Sequence, residues 1–208
     1  MSKRSSLLPR ALTALTVICA LASAAWAQPA PTVRIRGTIE AVDGSLLTVK
    51  SRDGAEMKVR MTDNAAVVGV TAIAMSEIKP GSYIGVTAMP EPDGTQKAIA
   101  VHIFPEAQRG TGEGFRAWDL RPNSTMTNAT VADTVAGTDG QNILVKYKDG
   151  EKKVVVPPGT PIVTFVPGDK SELKPGASII IFGATKKDDG TLEANRVNVG
   201  RNGITPPM

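Results

Sequence analysis

The chain has 208 residues, with one cysteine, one histidine and an aromatic content of 4%. Its formal charge is +4, but three of the 24 basic residues and none of the 20 acidic ones precede Gln28, so the remainder of the chain is close to neutral. Without a surplus of positive charge, the composition argues against a nucleic-acid partner.

The first 27 residues have the pattern of a secretory signal peptide. Their apolar run, residues 11–25, is too short to span a bilayer, and Ala25-Trp26-Ala27 matches a small-x-small cleavage site. We expect cleavage after Ala27 and a periplasmic or secreted product. Because Cys19 lies in this leader, the exported chain would have no disulfide. We expect no transmembrane segment after the signal peptide, since no later apolar run is long enough.

After a short linker, residues 28–32, the segment 33–104 predicts five short strands. Residues 33–42 alternate apolar and polar side chains, the period of a half-buried strand. Asp43-Gly44 and Asp53-Gly54 indicate turns that join three strands into a meander. A less regular stretch, with a short strand expected at 67–70 and one helical turn at 75–78, leads to two further strands at 82–88 and 95–104.

Residues 127–200 repeat this plan. Glu172-Leu-Lys-Pro-Gly176 matches Glu77-Ile-Lys-Pro-Gly81, and Asp189-Gly190-Thr191 matches Asp93-Gly94-Thr95. Each Lys-Pro-Gly predicts a type II turn, because Pro presets φ at the second turn position and Gly accepts positive φ at the third. A small module of five strands favours closure, which removes exposed edges. The sequence therefore predicts an all-β fold of two tandem five-stranded OB-like barrels, one per repeat, joined by an irregular connector.

The connector, residues 105–126, has no counterpart in either repeat. It is rich in glycine between Gly110 and Gly114, lacks the Lys-[Ser/Thr] of a phosphate-binding loop, and then carries Trp118. We interpret it as a strap whose Trp118 and Leu120 pack onto a barrel. The tail, residues 201–208, is expected to be loose.

These motifs resemble an exported bacterial family catalogued as domain of unknown function 5666. The resemblance extends over nearly all of the chain after the leader and rests on turn and strand motifs. It implies OB-type barrels and supplies no catalytic residue. Relatives are sometimes labelled metal ABC transporter permeases, a label that this sequence does not support because no transmembrane segment is expected after the leader. The motifs are Gly37, Leu47-Thr-Val49, Asp53-Gly54, Ile78-Lys-Pro-Gly81, Asp93-Gly94 and Ala98, with Leu173-Lys-Pro-Gly176, Asp189-Gly190 and Ala194 in the second repeat.

Catalytic chemistry has few candidates in this chain. After the leader it has no cysteine, and its one histidine is His102 in the fifth strand of the first repeat, where the second repeat has Asn198. Nucleophilic catalysis needs a histidine or cysteine that a third group orients. We expect His102 to be a strand histidine with a solvated or hydrogen-bonded ring, and the protein to be neither an enzyme nor a cofactor carrier.

A metal site is the alternative hypothesis. Met57, Met61 and His102 fall in the same repeat, and thioethers with an imidazole suit Cu(I). The opposing interpretation is that Met57 and Met61 fill the core on the inward face of the third strand, as flexible methionine does well.

An interaction surface is the other open class. Arg34 and Arg36 would share the outer face of the first strand, Arg60 would lie on that of the third, and the connector would present Phe115 and Trp118. We therefore expect an exported, non-enzymatic binding or structural module of the cell envelope, whose partner is an envelope protein or a glycan. A periplasmic metal-binding accessory protein with Met and His ligands remains the alternative.

Overall fold

The structure is a computed structural model that describes residues 32–137 and 140–208. The expected signal peptide and all of the expected linker except Thr32 lie outside the described residues. The all-β prediction is confirmed, since the described residues form twelve strands and three short 3₁₀ helices. No helix among them is long and apolar enough to cross a membrane. The strands are β1 (Thr32–Asp43), β2 (Leu46–Ser51), β3 (Glu56–Ala72), β4 (Tyr83–Pro90), β5 (Gln96–Ile103), β6 (Gly114–Ala117), β7 (Thr125–Gly137), β8 (Gly140–Tyr147), β9 (Gly150–Val156), β10 (Ile162–Pro167), β11 (Ser178–Lys186) and β12 (Leu192–Gly200); the 3₁₀ helices are Met75–Glu77, Glu106–Gln108 and Lys170–Glu172.

The first barrel contains β1, β2, β3, β11 and β12. Antiparallel pairing runs from β12 through β11, β1 and β2 to β3, and the parallel pairing of β12 with β3 closes the circle. Leu192 lies opposite Val59 at this seam. Alternate side chains fill the interior, and Ile39, Val49 and Val59 are completely buried. Each such aliphatic side chain contributes roughly 1.5–3 kcal/mol on burial.

The second barrel contains β4, β5, β7, β8 and β9. Here the antiparallel order is β5, β4, β7, β8 and β9, and parallel pairing of β5 with β9 closes the sheet. Ile84, Val86 and Val145 are completely buried in its core. The short strand β6 adds to the outside of this barrel by pairing with β7.

Each barrel therefore takes three strands from one repeat and two from the other. The prediction that segments 33–104 and 127–200 each form their own barrel is wrong in this respect, although each barrel has five strands as expected. The two repeats have the same hydrophobic alternation, so the pattern does not specify which copy of the last two strands completes which barrel.

The two repeats exchange strands at the place where β3 pairs with β10. β3 continues past the first barrel, and its second half pairs antiparallel with β10 from Val68 opposite Pro167 to Ala72 opposite Val163. Val70 and Phe165, at equivalent positions in the two repeats, face each other at the centre of this ladder. β10 then pairs in parallel with β5, so the two barrels are joined in one sheet.

The Lys-Pro-Gly turns have the expected geometry. Gly81 and Gly176 both have φ of 87°, and the N–H of Ser82 donates to the Lys79 carbonyl at 2.9 Å. Their glycine N–H groups bond the partner repeat: Gly81 donates to Val131 and Gly176 to Ile39, each at 2.8 Å. Each turn thus starts β4 or β11 and also attaches it to the barrel that it completes.

The expectation of a loose tail, residues 201–208, is wrong. Met208 is completely buried beside Val70 and Phe165, and the Arg36 Nε donates to its main-chain oxygen at 2.6 Å. Arg201 makes a two-pronged contact with the Glu172 carboxylate, with both distances 2.8 Å. The tail was expected to be loose because it has no strand pattern, but its apolar end covers the junction between the barrels.

Candidate ligand cavity between the barrels

A cavity of about 320 Å³ lies between the two barrels, under the connector. Both barrels contribute to its walls, the second barrel through β5 and β7 and the first through β11 and β12. Two larger depressions, of about 760 and 630 Å³, have no aromatic side chain among their lining residues. The lining residues of the cavity are His102, Phe104, Gln108, Thr111, Gly112, Arg116, Trp118, Met126, Asn128, Phe165, Phe182, Arg196 and Asn198.

Gly85 allows two polar side chains to converge on this cavity. It lies in register with His102 on β5 and with Asn128 on β7. A Cβ at this position would collide with the His102 imidazole and would lie 2.7 Å from the Asn128 Oδ1. The absence of a side chain at Gly85 is therefore what lets the imidazole and the amide fold over β4 from its two sides.

His102 differs from the solvated or hydrogen-bonded histidine that the sequence predicts. It is 4% exposed, and its Nδ1 has no hydrogen-bond partner among the described residues. Its ring packs edge-on to Phe104, with 4.6 Å between centroids, and lies 5.4 Å from Phe165. Burial, with a smaller contribution from the Arg116 charge, lowers the pKa of His102 to about 3. The imidazole is therefore neutral near pH 7, with one donor and one acceptor nitrogen.

Two asparagines continue the polar part of the wall. Asn128 is 4% exposed and donates through Nδ2 to the Thr111 carbonyl at 3.0 Å, while its Oδ1 lacks a partner among the described residues. Asn198, the counterpart of His102, is 1% exposed and lies 3.4 Å from the Arg196 Nε. The two equivalent fifth-strand positions thus face one cavity.

Two arginines give the cavity a positive charge. Arg116 on β6 donates to the Gly112 carbonyl at 2.7 Å, and burial lowers its pKa. Arg196 on β12 is exposed at the edge of the cavity. Neither forms an ion pair within residues 32–137 and 140–208, and no carboxylate is among the lining residues. The charge of these guanidiniums is therefore left without a protein counter-ion.

The connector attaches the roof of the cavity to the first barrel. The Asp119 carboxylate contacts Arg34 and Arg36 of β1, each at 2.7 Å. Burial raises the pKa of Asp119, but hydrogen bonds from these two arginines outweigh that effect and the pKa falls to about 2. The Arg34 Cζ stacks 3.9 Å from the Trp118 ring centroid. The strap interpretation is thus correct for Trp118, which packs onto Arg34 of the first barrel.

The indole nitrogen of Trp118 is a further buried group without a partner. Its Nε1 and the Arg34 Nε have no hydrogen-bond acceptor among the described residues. The Arg116 Cζ lies 5.5 Å from the same ring. An N–H donor and a guanidinium therefore lie close together on the connector side of the cavity.

The structure does not bring the proposed metal ligands together. Met57 and Met61 pack with the core of the first barrel, as the core-filling interpretation held, whereas His102 lines the cavity. Within the described residues no group of three or more His, Cys, Asp or Glu side chains is arranged to hold a metal ion.

The residues of the expected interaction surface do not lie together in the structure. Arg34 and Arg36 are covered by Asp119, and Trp118 lines the cavity. Phe115 is 41% exposed under the Lys152 ammonium, 4.4 Å away, and is not a lining residue. Arg60 is exposed on β3, likewise away from the cavity lining.

Sequence reasoning missed Arg116, Asn128, Phe165 and Arg196. These residues come from three separate parts of the chain, and only the exchange of strands places them around one space. The available signal was the difference between His102 and Asn198 at equivalent positions. Comparison of the chain with protein-family models, curated proteins and solved structures found no match.

Proposed function

We propose that the protein is an exported, non-enzymatic binding protein whose two barrels and connector together hold a small ligand in the cavity between them. Export rests on the signal-peptide pattern of residues 1–27. The same proposal includes membership of the exported β-barrel family that the turn motifs resemble.

The observation that carries the proposal is the uncompensated charge at one cavity. Arg116 and Arg196 line it, and no Asp or Glu is among the lining residues. The salt bridges of the described residues include neither guanidinium. A bound ligand would supply the counter-charge that the cavity wall lacks.

The size and composition of the cavity also favour binding. Ligand sites are typically apolar clefts of about 300–1,000 Å³ with a few converging polar groups. The cavity has four aromatic side chains together with its arginines, asparagines and histidine. Catalysis is not proposed, because His102 has no carboxylate partner in the lining and a pKa of about 3, far from that of a neutral-pH general base. Metal binding is not proposed, because Met57 and Met61 pack in the core of the first barrel whereas His102 lines the cavity.

The test is a search for binding with probes of different charge. Benzoate, benzyl alcohol, benzylamine and glucose would be titrated while thermal unfolding and tryptophan emission are followed. For a chain of this size a ligand at 100 times its Kd adds about 2.7 kcal/mol, which raises Tm by about 5–10 °C. We expect at least one probe to bind with a stoichiometry of one.

The matched variants are Trp118→Ala and Phe115→Ala, which remove two connector aromatics of which only Trp118 lines the cavity. Binding should be lost in the first and retained in the second. Failure of every probe to bind, or equal binding by both variants, would contradict the proposal. Mass spectrometry of the exported protein tests the leader, with a first residue of Gln28 expected.

A further inference from the structure

We propose that the ligand of this cavity is a small planar aromatic acid. This inference rests on the proposed function and specifies the chemistry of the ligand. It uses three features of the cavity: its uncompensated charge, its aromatic rings and its volume.

The charge of the cavity requires an anionic group. Arg116 and Arg196 line it, and no Asp or Glu does. The third nearby guanidinium, that of Arg34, is already paired with Asp119 at 2.7 Å. Guanidinium groups recognise carboxylates through charge-assisted hydrogen bonds. A carboxylate would therefore supply the missing counter-charge.

The aromatic side chains require a flat apolar body. Phe104, Phe165 and Phe182 line the cavity with Trp118 and Met126. Aromatic rings and thioethers pack favourably on other rings. A sugar would place hydroxyl groups against these surfaces, and its donors would outnumber the acceptors of the wall. An aromatic ring fits the lining without unpaired polar groups.

The size of the cavity sets the size of the ligand. Its volume of about 320 Å³ is near the lower limit for ligand sites, which agrees with a single aromatic ring.

The experiment uses calorimetry on the purified protein with four related probes. They are benzoate, methyl benzoate without the charge, benzylamine with the opposite charge, and cyclohexanecarboxylate, an acid without an aromatic ring. We expect benzoate to bind most tightly and the other three probes at least tenfold more weakly. Tryptophan emission should change on binding and should not change in Trp118→Phe.

Arg196→Gln and Arg60→Gln form the matched pair of variants, since both residues are exposed and only Arg196 lines the cavity. Arg196→Gln should weaken benzoate binding about ten- to hundredfold and leave the binding of the ester unchanged, whereas Arg60→Gln should change neither. Equal affinity for the acid, the ester and the amine would overturn the assignment of an acid. If a neutral or cationic probe binds and loses affinity in Trp118→Ala while the acids do not bind, this inference fails and the proposed function stands. If no probe responds to Trp118→Ala, both fail.

Discussion

Acidification should destabilise the protein through a single side chain. His102 is the one histidine of the chain, and its pKa is about 3 in the folded protein against an ordinary value of 6.5. The unfolded chain therefore takes up a proton near pH 6.5 that the native structure does not accept. The resulting stability is fully present above pH 6.5 and is lost progressively as the pH falls toward 3.

The expected magnitude follows from the two pKa values. Each pH unit below 6.5 costs about 1.4 kcal/mol until the native imidazole itself titrates. Between pH 7.5 and pH 5 the free energy of unfolding should fall by about 2 kcal/mol. Carboxylates stay largely ionised above pH 5, since their ordinary pKa values are near 4, so His102 dominates this window.

Urea denaturation at half-unit pH intervals measures this loss. The control is His102→Asn, which places at this position the residue that the second repeat has at Asn198. Its free energy of unfolding should change by less than about 0.5 kcal/mol between pH 7.5 and 5. A wild-type stability that is flat over this range, or an equal slope in the variant, would refute the burial of a neutral imidazole.

Three further variants test the attachment of the connector, the close packing of His102 and Asn128 on Gly85, and the exchange of strands between the repeats. Asp119→Asn should cost about 1 kcal/mol, the upper range for half-exposed ion pairs, and should red-shift the emission of the connector tryptophan; an unchanged spectrum would contradict the strap. Gly85→Ala should cost about 1–3 kcal/mol in urea denaturation, whereas Gly183→Ala, whose Cβ would meet nothing closer than 3.6 Å, should be neutral. Cysteines at Thr38 and Ser178, cross-strand partners from different repeats, should form a disulfide detectable by mass spectrometry of a digest; its absence in folded protein would contradict the exchange.

Local features of the fold could be predicted because local chemistry determines them. The turn at Gly81 needs a positive φ, and the sequence supplies Pro followed by Gly. The alternation in residues 33–42 likewise places Ile35 and Ile39 inside the barrel. The helical turn expected at 75–78 is present as the 3₁₀ helix Met75–Glu77.

The exchange could not be predicted because it depends on a choice between two equivalent partners. Gly81 could bond the first strand of either repeat, and the hydrophobic pattern is the same in both. In the structure its N–H bonds the Val131 carbonyl of the second repeat, and β3 continues as far as Ala72, beyond the first barrel, where it pairs with β10. Such non-local pairing is decided by the whole fold, not by a window of residues.

The candidate site was partly visible in the sequence. His102 and Trp118 were singled out because one has a different counterpart in the second repeat and the other has none. Nothing in the sequence placed Arg116 and Arg196 near His102 and Trp118, since these residues meet only when the two repeats exchange strands. Met57 and Met61 shared a repeat with His102, but the inward face of β3 takes them into the barrel core.

The central claim is that the two barrels and the connector form one ligand site, and an NMR titration tests it most directly. With benzoate added to ¹⁵N-labelled protein, the indole N–H of Trp118, the side-chain amides of Asn128 and Asn198, and the imidazole of His102 should shift together. All four should saturate with one dissociation constant, while resonances of Arg60 and Lys152 stay unchanged. If binding is detected and these four signals do not move, or if they saturate with different constants, the account of a single site between the barrels is contradicted.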